Sequence, residues 1–145
     1  MSKRLMVTLK QKEAMQVTRV SIGDKKLVYV ILAKRPLRYP WGRSKIAYIG
    51  TTKKGMARIA QSVAARAEDI LSLHGVREFV VRVLTCPPRP NVKTWEKLET
   101  ALLLLFRQRY GTLPKCNDRG KNMRERDELR YFSRDRLDRI LEKLA

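Results

Sequence analysis

The chain has 145 residues, the length of one domain, and 43% of them are hydrophobic, enough to form a core without disulfides. Thirty-three Lys and Arg against fourteen Asp and Glu leave a formal net charge of +19. Repulsion among these positive charges opposes compact folding, so a polyanionic partner is expected. The cations are spread along the whole chain, which argues against a basic helix that binds a membrane surface. Nucleic acid is therefore the expected partner.

The few cysteine and histidine residues exclude further classes. Cys86 and Cys116 form no CxxC pair, and His74 alone cannot complete a zinc site, so neither structural zinc nor a disulfide framework is expected. The N-terminus lacks the apolar core of a signal peptide, and no run approaches the ~18 apolar residues of a membrane span. We therefore expect an intracellular, cytoplasmic protein without a membrane segment.

The first predicted elements are two strands. Residues 1–23 are polar and basic with short apolar stretches, and we interpret them as an arm packed on the sheet or a further strand. The β-branched and aromatic run at 27–33 predicts a central buried strand. Two prolines and a glycine predict a loop at 34–43, and 45–50 is typical of the returning strand.

The remaining pattern predicts one strand and three helices. In chain order they are a helix, a strand and two further helices, at 56–73, 78–84, 95–109 and 134–144. Thr94 and Ser133 are the expected N-caps of the last two helices. The expected fold class is α/β, a small antiparallel three-stranded sheet flanked by helices, in a single domain 1–145.

The predicted loop at 34–43 is a candidate nucleic-acid surface. It interleaves cations with two aromatic rings, which suits phosphate contact and base stacking. A hairpin whose aromatic rings cover the sheet edge explains the pattern equally well. Together with three lysines around the next strand, the expected nucleic-acid-binding residues are Arg35, Arg38, Tyr39, Trp41, Arg43, Lys45, Lys53 and Lys54.

Glu99 is the carboxylate that the pattern singles out. In the predicted helix it shares a face with Leu102, Leu103 and Phe106. A carboxylate on an apolar face is costly unless it binds a cation, and an ion pair with a neighbouring arginine is the alternative to a metal. Glu96, one turn earlier, is the competitor for the same role.

Several short elements, taken in order, resemble the signature of the GIY-YIG nuclease family. The elements are Leu27-Val28-Tyr29, Tyr48-Ile49-Gly50, Arg58, Glu99 and Pro114-Lys115-Cys116-Asn117. The first keeps only the tyrosine of the family's Gly-Ile-Tyr, the second matches Tyr-Ile-Gly at every position, and the last is similar to the family's closing Pro-x-x-Asn. The resemblance spans about 27–117, which leaves an arm at 1–23 and a helical extension at 122–145.

The resemblance implies a metal-dependent endonuclease that hydrolyses phosphodiester bonds in DNA. It implies that Tyr29 positions or deprotonates the attacking water and that Tyr48 hydrogen-bonds the water or the phosphate. Arg58 would clamp the scissile phosphate, and Glu99 would bind a single Mg²⁺ or Mn²⁺ ion. Asn117 would hold the site together through hydrogen bonds.

The sequence departs from the family at one position and leaves two alternatives open. Many relatives carry His or Tyr one turn past the helix arginine, whereas this chain has Gln61 and Ser62. Tyr29 is then the base candidate at the motif. The alternatives are a non-catalytic nucleic-acid-binding protein on the same fold and a basic RNA-binding protein of ribosomal or RNA-processing type. The expected assembly is a monomer or a transient homodimer.

Overall fold

Three antiparallel strands form one sheet in the order β2-β1-β3. The computed structural model describes residues 3–18, 23–118 and 123–145. The strands are β1 (Leu27–Tyr39), β2 (Gly42–Thr52) and β3 (Phe79–Leu84). The central strand β1 pairs with β2 on one side and with β3 on the other. The expected small antiparallel three-stranded sheet with flanking helices is confirmed.

Four helices accompany the sheet in the described residues: α1 (Met56–Leu71), α2 (Thr94–Tyr110), α3 (Glu128–Tyr131) and α4 (Arg134–Leu144). The three predicted helices are confirmed, with ends that differ by at most two residues. The short α3 was not predicted and lies within the charged extension. No helix in the described part of the chain has the length and apolarity needed to cross a membrane.

The core lies on both faces of β1. Residues 27–33 are all buried, because the strand is covered above and below and is paired on both edges from Val28 to Leu32. The middle of α2 is apolar on every side, and every residue from Ala101 to Phe106 is buried. A helical segment without a polar side must be enclosed by its neighbours, which explains why α2 contacts both β1 and β2.

The prediction of a loop at 34–43 was wrong. Strand β1 continues to Tyr39 and β2 begins at Gly42, so only Pro40 and Trp41 form the turn. Strand β3 pairs with β1 only as far as Ala33, so this part of β1 has an unpaired edge. Pro36 lacks an N–H group and is tolerated there, beside an irregularity in the register.

Strand β2 contains a bulge beside the candidate site. Ile31 pairs with Tyr48, whereas the next residue, Leu32, pairs with Ile46. Ala47 is therefore an extra residue in β2. Side chains alternate between the faces of a strand, so an extra residue reverses the alternation beyond it. Side chains of β2 that a regular strand would place on opposite faces thus share one face.

Two local predictions have different outcomes at the helix N-termini. Ser133 caps α4 as predicted, because its Oγ accepts from the backbone N–H of Arg136 at 3.3 Å. Thr94 is not a cap: Lys93 holds that position, and the Thr94 hydroxyl donates to the Pro87 carbonyl at 3.1 Å. The hydroxyl is thus used to fasten the preceding loop to α2.

The N-terminal arm does not pack on the sheet where the structure describes it. Residues 3–18 contain no helix or strand and are all exposed. The alternative of a further strand is not found in 3–18, and residues 1–2 and 19–22 lie outside the described part. The interpretation of this segment as a sheet-packed arm is therefore corrected for residues 3–18.

Tyr39 fastens the hairpin to the segment that follows α2. The ring is buried, its hydroxyl donates to the Ile46 carbonyl at 2.6 Å, and it accepts from the Lys115 N–H at 3.0 Å. Burial raises the pKa of the Tyr39 phenol, so it stays protonated and able to donate. One side chain thus satisfies backbone groups from two segments.

We expect Tyr39→Phe to lower the free energy of unfolding by about 1–3 kcal/mol, because two backbone groups lose their partner. Urea unfolding followed by circular dichroism measures the change. Tyr131→Phe is the matched control, since no hydrogen bond of its hydroxyl is present among the described residues. Equal midpoints for the two variants would contradict this role of Tyr39.

Candidate active site

Tyr29 and Tyr48 lie side by side on neighbouring strands, with ring centroids 5.8 Å apart. Gly50 pairs directly with Tyr29. A Cβ atom at Gly50 would lie 2.6 Å from Cε1 of Tyr48 and 2.7 Å from Cζ of Tyr29, closer than real Cβ contacts. The glycine of the Tyr-Ile-Gly motif is thus required by the close approach of the two rings.

Arg66 is the cation that the structure places on the tyrosine pair. Its guanidinium carbon lies 4.0 Å from the ring centroid of Tyr48, a cation–π contact. Sequence reasoning missed this residue and singled out Lys45, Lys53 and Lys54 around this strand, as expected nucleic-acid-binding residues. Arg66 follows Arg58 by eight residues, about two helical turns, so both lie on one side of α1. The spacing was visible, but 33 basic residues make it a weak signal.

Tyr48 is held in its protonated form. Burial is the main cause that raises the pKa of its phenol, and the charge of Tyr29 and a hydrogen bond with Tyr29 add to it. The Arg66 guanidinium acts in the opposite direction, and the charge of Glu99 raises the pKa further. At neutral pH Tyr48 is therefore a hydrogen-bond donor and not a base.

Glu99 is a half-buried carboxylate close enough for its charge to act on Tyr48. Burial is the main cause that raises the pKa of Glu99 to about 7, and the neighbouring charge of Glu96 adds to the shift. Among the described residues, Glu99 has no ion-pair partner. The alternative of an arginine pair is therefore not found, and the carboxylate changes charge near neutral pH.

Asn117 fastens the end of the motif to β2. Its Oδ1 accepts from the Ile49 N–H at 3.0 Å, and its Nδ2 donates to the Ile49 carbonyl at 2.9 Å. The Cys116 N–H also donates to the Ala47 carbonyl at 2.9 Å. These bonds occupy backbone groups on the outer edge of β2, on either side of Tyr48. Asn117 thus positions the strand that carries Tyr48 and Gly50.

Arg58 makes its side-chain hydrogen bond within α1. It is exposed, and its guanidinium donates to Oε1 of Gln61 at 3.2 Å. No contact of Arg58 with either tyrosine is present among the described residues. Of the lysines considered, Lys45 is half-buried on β2, whereas Lys53 and Lys54 are exposed just beyond its end.

The hairpin residues divide into an exposed and a buried set. Arg38, Trp41 and Arg43 are exposed, and Trp41 retains 70% of its accessible surface. Tyr39 is buried in the core and presents no free ring face for a base. Arg35 is exposed, with its guanidinium beside Gly75. The expected nucleic-acid surface therefore keeps its cations and one of its two rings.

The described residues contain no group of three or more His, Cys, Asp or Glu side chains arranged to hold a metal ion. A metal at Glu99 would accordingly have at most one further ligand of these residue types in the described part of the chain. Searches against family models, curated proteins and solved structures find no match to this chain.

We expect Gly50→Ala to separate the tyrosine rings and to lower the free energy of unfolding by about 1–3 kcal/mol, because the added methyl has no room. Near-ultraviolet circular dichroism reports the tyrosine environment, and urea unfolding reports stability. Gly42→Ala is the matched control, since its Cβ would make an ordinary 3.5 Å contact with Tyr110. Unchanged spectra in Gly50→Ala would contradict the packing described.

We expect stability to fall as pH rises through the range set by Glu99. Its pKa is about 7 in the folded protein against an ordinary 4.5, so between these values the folded state holds a proton that the unfolded chain has lost. One pKa unit is worth about 1.4 kcal/mol, so the loss between about pH 5 and about pH 8 is about 2–3 kcal/mol.

The measurement is urea unfolding of the wild type and of Glu99→Gln at both pH values without divalent metal. The amide does not titrate, so the difference between the two proteins isolates Glu99 from the other carboxylates. Parallel pH dependence of the two proteins would show that burial does not shift this pKa.

Proposed function

We propose that this protein is a metal-dependent endonuclease of GIY-YIG type that hydrolyses phosphodiester bonds in DNA. The observation that carries the proposal is the tyrosine pair beside a half-buried Glu99 that has no ion-pair partner among the described residues. A half-buried carboxylate without an ion-pair partner is costly to ionise, and a bound cation would offset that cost.

The residues present fit a magnesium-type ion. Such an ion typically takes one or two carboxylates and completes its shell with water and substrate phosphate, so it does not need a cluster of three protein ligands. Glu99 would hold the ion, and Glu96, whose charge acts on Glu99, is the candidate second carboxylate. Bound there, the ion would supply positive charge to the scissile phosphate.

The two tyrosines would have different roles. Tyr48 keeps its proton and would donate a hydrogen bond to the water or to a phosphate oxygen. Tyr29 would then be the tyrosine that orients or deprotonates the water. Arg66 lies on the Tyr48 ring and Arg58 two turns away, so either guanidinium would be available to the phosphate charge.

A non-catalytic nucleic-acid-binding protein remains the second candidate. The observation that favours it is the exposed Arg58, which hydrogen-bonds Gln61 where many GIY-YIG enzymes carry His or Tyr. A non-catalytic protein would have the same basic surface as the nuclease, so both would bind nucleic acid with a steep salt dependence. Only cleavage and its metal requirement separate the two.

The test is incubation of supercoiled plasmid DNA with the protein in Mg²⁺, in Mn²⁺ or in chelator. We expect metal-dependent nicking or linearisation that falls at least about 100-fold in Glu99→Gln, because the ion loses its ligand. Glu78→Gln is the matched control, since it removes the same charge from an exposed side chain paired with Lys34. Glu96→Gln tests the second carboxylate.

Three outcomes would overturn all or part of the proposal. An intact plasmid under every condition, with a retained gel shift, would leave the non-catalytic binder. Cleavage that persists in chelator would remove the metal from the mechanism. A strong preference for RNA over DNA duplex of equal length, without cleavage, would favour an RNA-binding protein. Inactivity of Glu99→Gln through misfolding is checked by its unfolding curve.

A further inference from the structure

The tip of the β1–β2 hairpin carries two arginines that face each other. Arg38 pairs directly with Arg43 across the strands. The neighbours of this pair are buried: Leu37 and Ser44 on one side, and Tyr39 on the other. Because side chains alternate between the two faces of a strand, both arginines project from the face opposite to these buried side chains. Like charges directly opposite each other destabilise a strand pair, and neither arginine has an ion-pair partner among the described residues.

Trp41 adds an exposed aromatic ring to the same tip. Although 70% exposed, it is not loose, since its backbone N–H donates to the Tyr110 carbonyl at 3.2 Å. Its ring rests on Gly111, where a Cβ atom would lie 3.0 Å from Cδ2 of the indole. Gly111 has a φ of 86° and ends α2, so the helix end leaves room for the ring. The indole is thus braced from one side and open on the other.

The bulge at Ala47 connects this tip with the tyrosine pair. Counting outward from the bulge, Arg43 and Lys45 lie on the same face of β2 as Tyr48. In a strand without the bulge, Tyr48 would lie on the opposite face from both. The separation of Arg43 and Tyr48 along β2 is about 15 Å, a few nucleotides of extended strand. Cations therefore follow one face of the strand from the tip to the tyrosines.

From these observations we propose that the hairpin tip, defined as Arg38, Trp41 and Arg43, binds an unpaired nucleic-acid strand and directs it along β2 towards Tyr48. Trp41 stacks on an unpaired base, and the two arginines share a phosphate, which removes their mutual repulsion. A base inside a duplex has both faces covered and cannot use the indole in this way. The direction towards Tyr48 rests on the proposed function, whereas binding at the tip does not.

The chain offers a direct reporter, because Trp41 and Trp95 are its two tryptophans. In Trp95→Phe, the indole of Trp41 is the sole tryptophan emitter, and binding is followed by its fluorescence in chelator, where cutting is suppressed. We expect quenching by short single-stranded DNA and by single-stranded RNA, and little by a blunt duplex of equal length. Quenching by only one of the two single strands would identify which nucleic acid the tip binds, and quenching by neither would overturn the proposal.

An abasic oligonucleotide of the same length is the matched ligand control. It keeps the phosphates and removes the bases, so we expect binding without quenching. In the protein that keeps Trp95, we expect Trp41→Ala to weaken binding of the normal single strand about tenfold, since one stacked base is lost. Equal quenching by both oligonucleotides, or unchanged affinity in Trp41→Ala, would overturn the stacking role.

Charge reversal tests the arginine pair. We expect Arg43→Glu to raise stability, because a carboxylate then faces Arg38, and at the same time to weaken single-strand binding. Arg139→Glu on α4 is the control with the same change of net charge at another exposed position. Arg43→Glu should weaken binding at least about tenfold more than Arg139→Glu. Equal effects of the two substitutions would show a diffuse basic surface and overturn the proposed tip.

Failure of this proposal and failure of the nuclease are distinguishable. Fluorescence and affinity are measured in chelator and need no cleavage, so they stand if the plasmid remains intact. If plasmid is cleaved but Trp41 is not quenched, the nuclease proposal stands and the tip proposal falls.

Discussion

Residues 27–33 of β1 are buried, and Val28 to Leu32 are paired on both edges. The other features of the molecule are arranged around that enclosed strand. An enclosed backbone must satisfy its hydrogen bonds internally, so the registers of β2 and β3 leave little freedom. Tyr29 is held within this strand. Its partner Gly50 and neighbour Tyr48 are then placed by register, and Asn117 fixes the far edge of β2.

The candidate site combines partly buried side chains with ionisable groups. Burial keeps Tyr48 protonated and raises the pKa of Glu99 to about 7, so the two groups differ from their counterparts in water for the same reason. Stability alone would favour an apolar residue at Glu99 and unlike charges at Arg38 and Arg43. Local choices that oppose stability in this way are typical of functional surfaces. Here they occur on α2 at Glu99, whose charge acts on Tyr48, and at the tip of the β1–β2 hairpin.

Much of the fold was predictable from local pattern. The apolar periodicity of α1, α2 and α4 and the β-branched runs of the strands depend on residues near one another in the chain, so they were identified with small errors at the ends. The prediction of a loop at 34–43 was wrong because two prolines and a glycine normally break strands. Pro36 is tolerated in β1 because the pairing with β3 ends before it, and the length of a neighbouring strand is not a local property.

The sequence by itself determined the basic charge, the order of elements and the occurrence of Tyr29, Tyr48 and Glu99 on a strand, a strand and a helix. Only the tertiary structure decided that Tyr39 is buried, that Arg66 covers Tyr48 and that Glu99 lacks an ion-pair partner among the described residues. The physical reason is that burial, ring contacts and charge pairing depend on register and helix packing. These bring together residues far apart in the chain, and periodicity along one element carries no information about them.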